Sequence, residues 1–488
     1  MSGHGKDHGQ RLSALDGSFL RLESPQAHMH VGWSAVLSAP VDAPRPTAQA
    51  LRERAACRLH QVPWCRWRLE STPLALSEPR WVDDPDFDLS ERIVDLTDPD
   101  DRVSPATLAA LCCDVLSTPL DRSQPLWQIF VIPCLEDGRV AMVGKIHHAL
   151  VDGIAALQIV GLVADVESGA ESESAVDWQP NDRARPLARA VDALTDAAGE
   201  GFRVLQAGVG ASVRPRTTIR GALEEMSGLV RAVHKDVLPR APDSGLNVEI
   251  GARRTLVGYR ASRADLRAAR AGGGTLNDVG LAVVAGALRE LALRDGGEFD
   301  APLKVMIPVS MRRADEFGAG NRISMVYIHL PIHLDSPRKR IDWVRRQTRQ
   351  LKHSERAAGT ETLYRIAALL PTPLRSPAAK ALSTPRVFNL TISQPPGPRR
   401  AVHMLGCELE EVYSAVPITE GHALSIGMVR YNRELFFGCY ADPDALPAVD
   451  ELPALLESEL HALGAAASAS AESDQPEAPV AVDGTSGA

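Results

Sequence analysis

The stretch His147-His148-Ala149-Leu150-Val151-Asp152-Gly153 constrains this chain more than any other. Two adjacent histidines, a carboxylate shortly after them and a glycine form a compact set for moving one proton. A neutral imidazole titrates near ~6.5, so it can take a proton from a hydroxyl at neutral pH and return it later. A carboxylate close by fixes the tautomer of the ring or the loop that carries it. The flanks predict where this set sits. Leu126 to Pro133 reads as a strand, Glu136-Asp137-Gly138 as a hairpin turn, and Arg139 to Ile146 as the returning strand, with Val140, Met142 and Ile146 on one face. Gly153 then opens an apolar helix to about Val163, carrying Ile154, Leu157 and Val160. The histidines stand where a strand ends and a helix begins, a place where side chains meet ligands.

The remaining composition narrows the function class. The 488 residues suffice for two to four domains at the usual size, and 44% hydrophobic with 24% charged residues is an ordinary globular mixture. A net charge of -9 leaves no broad basic surplus to meet phosphates, which argues against a nucleic-acid binder. The seven cysteines (Cys57, Cys65, Cys112, Cys113, Cys134, Cys407 and Cys439) contain no C-x-x-C pair, so neither a zinc site nor a disulfide framework is expected. That fits a reducing cytoplasm. The polar start lacks the apolar core of a signal peptide, and no run approaches ~18 apolar residues, so any membrane association would be peripheral.

Along the chain, residues 1–11 read as disordered and 12–180 as a first folded half. The block Leu12-Ser13-Ala14-Leu15-Asp16-Gly17-Ser18-Phe19-Leu20, with Glu23 and His28-Met29-His30-Val31-Gly32 after it, reads most simply as the start of the first sheet. His28 and His30 could mimic a metal pair, but no third ligand follows; the acidic run Asp83 to Asp88 reads as a solvated turn rather than a calcium loop. Thr47 to Leu59 and Ala106 to Leu116 read as helices, and Pro125-Leu126-Trp127 as the entry to the strand before the histidines, with Trp127 in a packing role. Residues 181–245 read as a linker and helical connector, basic from Arg214 to Arg240.

The second half spans 246–464 in this reading. Thr275-Leu276-Asn277-Asp278 approximates a capping box at a helix start, which leaves Asn277 either as a local cap or as an amide facing a substrate. Lys304 to Met311 and Arg322 to Ile332 read as strands. Ser336-Pro337 starts a helix to about Lys352, with Ile341, Val344, Thr348 and Leu351 inward. The opposite face, with Arg338, Lys339, Arg340, Arg345, Arg346, Arg349 and Lys352, is solvated by default, and otherwise suits phosphates or anionic headgroups. Ala423 to Cys439 reads as a hairpin turning near Asn432-Arg433. Residues 465–488 have almost no large apolar groups and read as a disordered tail.

Several of these blocks carry a resemblance. His-His-x-x-x-Asp-Gly is similar to the signature of the CoA-dependent acyltransferase superfamily. With the opening block, Pro125-Leu126-Trp127, Asn277-Asp278, Arg312, Gly320-Asn321-Arg322 and Ser393-Gln394-Pro395-Pro396-Gly397-Pro398, the chain resembles the bacterial wax ester synthase/diacylglycerol acyltransferase family over roughly residues 12 to 450. His28 stands where that family usually has Pro, and Gln394-Pro395 where it has Asn-Val. The resemblance implies an α/β fold with mixed (α+β) sheets, in two chloramphenicol-acetyltransferase-like halves that meet along a tunnel. It implies His148 as general base, with His147 positioning its neighbour and Asp152 and Gly153 structuring the loop. Asn277, Asp278 and Ser393 become oxyanion or substrate candidates. Acyl-CoA is then a co-substrate, with no cofactor and no metal, and the acceptor is a lipid hydroxyl: diacylglycerol, a fatty alcohol, or in a variant reading a polyketide or glycolipid. A catalytically idle lipid-binding member is the alternative of a different class. No Gly-x-Ser-x-Gly elbow supports a serine hydrolase.

Overall fold

A computed structural model describes residues 10–41, 44–72, 77–151, 153–165, 178–181, 239–294, 296–297, 300–311, 320–352, 372–395, 397–398 and 400–473. The arginines from Arg214 to Arg231 and Lys235 of the connector, the loop residue Asp152, and Arg312 lie outside the described residues.

In chain order the first half comprises β1 (Gln10–Arg11), α1 (Ala14–Leu22), β2 (His30–Leu37), α2 (Ala48–Arg58), β3 (Trp67–Glu70), β4 (Arg80–Asp83), β5 (Ile93–Asp95), α3 (Pro105–Ser117), β6 (Trp127–Ile132), β7 (Val140–His147) and α4 (Gly153–Val163). The second comprises β8 (Thr255–Ala261), α5 (Arg263–Ala271), α6 (Leu276–Arg294), β9 (Leu303–Ser310), β10 (Ile323–Leu330), α7 (Pro337–Lys352), α8 (Thr372–Leu382), β11 (Leu390–Ser393), β12 (His403–Met404), β13 (Cys407–Ala415), β14 (Leu424–Tyr431), β15 (Glu434–Ala441) and α9 (Leu452–Ser473).

Two six-stranded sheets carry the fold, in the orders β12-β13-β2-β7-β6-β5 and β10-β9-β11-β14-β15-β8, and a three-stranded sheet β1-β4-β3 flanks the first. Parallel and antiparallel neighbours mix in both large sheets: β5 runs parallel to β6, and β11 runs parallel to β9 and β14. The architecture is α/β with two halves.

Local patterning explains most elements. Val140, Met142 and Ile146 of β7 pack in one apolar cluster, while Ala141 and Val143 face another, the two-residue alternation of a strand buried on both faces. Asn432 and Arg433 take φ of 42° and 68°, the left-handed pair that a two-residue hairpin between β14 and β15 requires.

Four expectations are corrected. Residues 14–22 form α1 rather than the start of a sheet, because Ser13 and Asp16 complete a capping box; the first long strand waits until His30. Gln10 and Arg11 of the polar start pair with Arg80 and Trp81. The C-terminal helix α9 runs on to Ser473, well past residue 464, with Ala467 buried against the second half; its alanines are strong helix formers even without bulk. Arg340 is not on the outer face of α7: it is buried and paired with Glu459.

The division at residues 180 and 246 also fails as a division of sheets. Strand β13, from the last fifth of the chain, pairs antiparallel with β2 and so completes the first sheet. It lies face-on against the second sheet over a row of glycines, Gly258, Gly438 and Gly427, which are register partners on β8, β15 and β14. A Cβ at Gly438 would stand 2.4 Å from the Ser414 carbonyl oxygen, and one at Gly258 would stand 2.5 Å from the Tyr413 ring. The absence of side chains along this row allows the two sheets to meet.

Candidate active site

The end of β7 places the histidine pair. His147 is the register partner of His30, its N–H donates to the Leu126 carbonyl at 2.9 Å, and the His148 N–H donates to the Met29 carbonyl at 2.8 Å. The motif loop therefore begins clamped between β2 and β6. The two rings then part. His147 is 1% exposed, and its Nδ1 accepts from the Ala149 N–H at 3.0 Å. Nε2 lies 3.6 Å from Glu23 Oε1, an ion-pair distance longer than a hydrogen bond. Arg122 Nε donates to the other Glu23 oxygen at 2.7 Å. Burial alone would raise the Glu23 carboxyl, but His147 and Arg122 outweigh it and hold it at about 2.

His148 is half-buried and lies flat on Phe19 of α1, with ring centroids 4.0 Å apart and an interplanar angle of 7°. The same helix anchors the loop from below. Asp16 Oδ2 accepts from Ser13 Oγ at 2.6 Å, while Oδ1 accepts from both the Asn321 backbone N–H at 2.9 Å and Asn321 Nδ2 at 2.7 Å. Asn321 Nδ2 also donates to the His148 carbonyl at 2.5 Å, and the Gly320 N–H donates to Leu150 O at 2.9 Å. Burial pushes the Asp16 carboxyl up, opposed by these hydrogen bonds. Residues from both halves thus hold one backbone stretch.

His148 lines a cavity of about 190 Å³ between the sheets. Its wall is mostly apolar, including Leu22, Met29, Met306, Met325 and Val429, with a few hydroxyls among which is Ser393. An apolar lining of this kind suits an acyl chain.

The other sequence candidates fall into two groups. Leu126 and Trp127 are fully buried; the Trp127 indole N–H donates to the Cys65 carbonyl at 2.8 Å, and Pro125 O accepts from Arg92 at 2.9 Å. This triplet supports β6, on which the histidine strand rests. Gly153 begins α4. Ser393 shares the cavity with His148. Asn277 and Asp278 do not. Asp278 is buried and receives the Thr275 N–H at 2.7 Å and the Thr348 hydroxyl at 2.7 Å, so it caps α6; Asn277 is exposed in the first turn and is not part of the cavity wall. An oxyanion role for either beside His148 is thereby corrected, since a carboxylate capping its own helix points back along the chain. His28 and His30 each direct Nε2 at a backbone carbonyl, of Pro25 and Leu116 at 3.0 and 3.1 Å. Glu23, Phe19, Asp16 and Asn321 carried no role in the sequence reading. Their signal was the blocks in which they stand, not any spacing to the histidines.

Residues 12–280 match the family model described as the wax ester synthase/diacylglycerol acyltransferase catalytic domain, and residues 319–464 match its C-terminal domain. The chain belongs to the wax ester synthase/diacylglycerol acyltransferase family. It is 30% identical over 456 residues to the probable diacylglycerol O-acyltransferase tgs1 of Mycobacterium tuberculosis strain H37Rv, covering 90% of this chain and 93% of that one. It is 31% identical over 471 residues to a diacylglycerol O-acyltransferase homologue of Mycobacterium bovis designated Mb0919, covering 93% and 90%. The fold is that of the wax ester synthase/diacylglycerol acyltransferase of Marinobacter aquaeolei VT8, at 24% identity and a TM-score of 0.66 over 94% of this chain and 100% of that one. It also resembles the starter condensation domain of rhizomide synthetase, at 13% identity and a TM-score of 0.56 over 96% and 97%. As a member of this family the chain is an acyltransferase that acylates lipid hydroxyls, and His148 lies inside its catalytic domain.

Proposed function

We propose that this acyltransferase moves a long-chain acyl group from acyl-CoA to diacylglycerol, giving triacylglycerol, and to a fatty alcohol, giving a wax ester, with His148 as the general base. The observation that carries the residue assignment is the His148 ring, stacked on Phe19 and lining the apolar cavity. The imidazole takes the acceptor's hydroxyl proton as the oxygen attacks the thioester carbonyl. The tetrahedral oxyanion then collapses, the C–S bond breaks, and the imidazolium returns the proton to the leaving CoA thiolate. Ser393, whose side chain belongs to the same cavity wall, is assigned as the donor to the oxyanion. His147, Asn321 and Asp16 are positioning residues: they fix the backbone that carries the ring. Gly153, which opens α4, is assigned to ending the loop that carries the histidines, and the same loop role is assigned to Asp152 from the resemblance alone.

No helix among the described residues is long and apolar enough to cross a membrane, and a cytoplasmic enzyme with these acceptors works by peripheral contact with the inner membrane or lipid inclusions.

CoA release from palmitoyl-CoA by the purified protein, with dioleoylglycerol and with hexadecanol, tests this reading beside His148→Ala. Acceptor-dependent turnover should fall by roughly 10²–10⁴ in the variant. Well-folded wild type without turnover on either acceptor would overturn it, leaving another hydroxyl or plain lipid binding.

A further inference from the structure

Trp33 is the largest side chain in the wall of the cavity beside His148. Strand β2 and the residue before it send alternate side chains into that wall: Met29, Val31, Trp33 and Ala35. Met29 marks the His148 end, where its carbonyl accepts from the His148 N–H at 2.8 Å. Trp33 lies about 13 Å further along the strand. Beyond it the wall continues with Ala35 and, from the neighbouring strands, Met404, Leu409 and Val412. The half-buried Trp33 ring thus stands part-way along the cavity, between the imidazole and a distal part lined by these apolar side chains. Nothing in that distal set would meet a headgroup, so its occupant is an alkyl chain.

Gly144 of β7 decides how the ring lies. It is the register partner of Trp33, so the two positions share one face of the sheet. A Cβ at Gly144 would stand 2.6 Å from the indole Nε1 and closer still to two ring carbons. The ring therefore occupies the place of the missing side chain and lies over the bare strand. On its other side the register partner of Trp33 is Ser414 of β13, itself in the cavity wall. A ring displaced from Gly144 moves toward Ser414, across the cavity. The cavity measures about 190 Å³, below the ~300–1,000 Å³ usual for small-molecule pockets, so the setting of one indole changes what it admits.

Resting on the acyltransferase reading, we propose that Trp33, seated on Gly144, sets how long an alkyl chain this enzyme accepts. A short chain ends before the ring; a long one passes beside it into the distal part. Acyl donor and alcohol acceptor both bring such a chain, and the two arms of the test tell them apart. Trp33 takes no part in the proton transfer at His148.

Purified wild type is compared with Trp33→Leu, Trp33→Ala and Gly144→Ala, each checked for cooperative thermal unfolding. One series offers acyl-CoAs from decanoyl to stearoyl with hexadecanol; the other offers alcohols from decanol to octadecanol with palmitoyl-CoA. The readout is kcat/KM for the long chain relative to the decyl one. Both Trp33 variants should raise this ratio at least tenfold in one series, about what one misplaced methylene costs in a fitted pocket, and Gly144→Ala should lower it by as much. The series that responds identifies the chain lying beside the ring. Equal ratios in wild type and variants, or losses that are the same at every chain length, would overturn the proposal and leave the acyltransferase reading standing. Displacement of bound cis-parinaric acid by decanoic and stearic acids gives a readout that needs no turnover. Wild type without CoA release in either series would remove the acyltransferase reading. A length preference in displacement that shifts with Trp33→Leu would then keep the role of Trp33, and an unshifted one would remove that too.

Discussion

Two junctions in this molecule precede an apolar helix, and they are built on opposite principles. At the start of α6, Thr275 and Asp278 cap the helix with each other, three residues apart, and Thr348 adds one bond from α7. At the end of β7, the histidine loop makes two hydrogen bonds of its own, from the Ala149 N–H to His147 Nδ1 and from the Leu150 N–H to the His147 carbonyl, and takes the others from outside. Met29, Leu126, Asn321 and Gly320 supply these, and Phe19 supplies a surface for the reactive ring. A self-contained cap is robust and leaves its side chains occupied. A loop held from outside keeps an imidazole facing a cavity, at the cost of depending on both halves of the chain.

That difference predicts unequal responses to substitution. The largest effect should come from Asn321→Leu, which removes a side-chain donor shared by the buried Asp16 carboxylate and the His148 carbonyl. A hydrogen bond to a charged group is worth roughly 1.5–3 kcal/mol, and urea unfolding should show a loss of that size. With the ring no longer held, kcat should also fall more than tenfold at unchanged KM for the acceptor. Wild-type kcat in a folded Asn321→Leu protein would break the comparison, because the loop would then be holding itself. Asp278→Ala should cost about 1 kcal/mol, the usual value of a lost cap, with kcat at saturating acyl-CoA near wild type. If that variant lost turnover as severely as Asn321→Leu, the two junctions would not differ as described.

The smallest effect concerns acid. Glu23 is held at about 2, below its ordinary 4.5, by His147 and Arg122 against the cost of burial. A carboxyl depressed in the folded state stabilises the protein above about 4.5, and that contribution drains away as pH falls toward about 2. Glu23 is partly open to solvent, so the effect is modest. Melting temperatures measured from pH 5 down to pH 3 should drop more steeply for wild type than for Glu23→Gln. Parallel curves would remove Glu23 from the electrostatics of the histidine pair.

Much of this arrangement is legible from the chain alone. The hairpin β6–β7, the helix opened by Gly153, the turn at Asn432-Arg433 and the start of α6 rest on patterns within a dozen residues, where periodicity and turn chemistry act directly. The histidine pair is visible for the same reason, since its motif is contiguous, and the resemblance singles out His148 within it. Asn277 stays open between cap and substrate contact in the sequence because a helix start reads alike whether its amide faces substrate or solvent. Glu23 and Phe19 stood in a noted block, yet nothing in their spacing announces a contact with residues more than a hundred positions away.

The sequence by itself determined the local elements and the chemistry open to the histidine pair, because each is written in short-range spacing and residue type, while the two-half class of fold came from the family resemblance of its blocks. The tertiary structure alone decided what surrounds that pair. It brought Asn321 to Asp16 across 305 positions, sent β13 back to complete the first sheet, and let Ser414 settle on Gly427 and Gly438. Those choices follow from close packing between distant segments, where one missing Cβ or one shared amide sets the geometry and no local pattern records it.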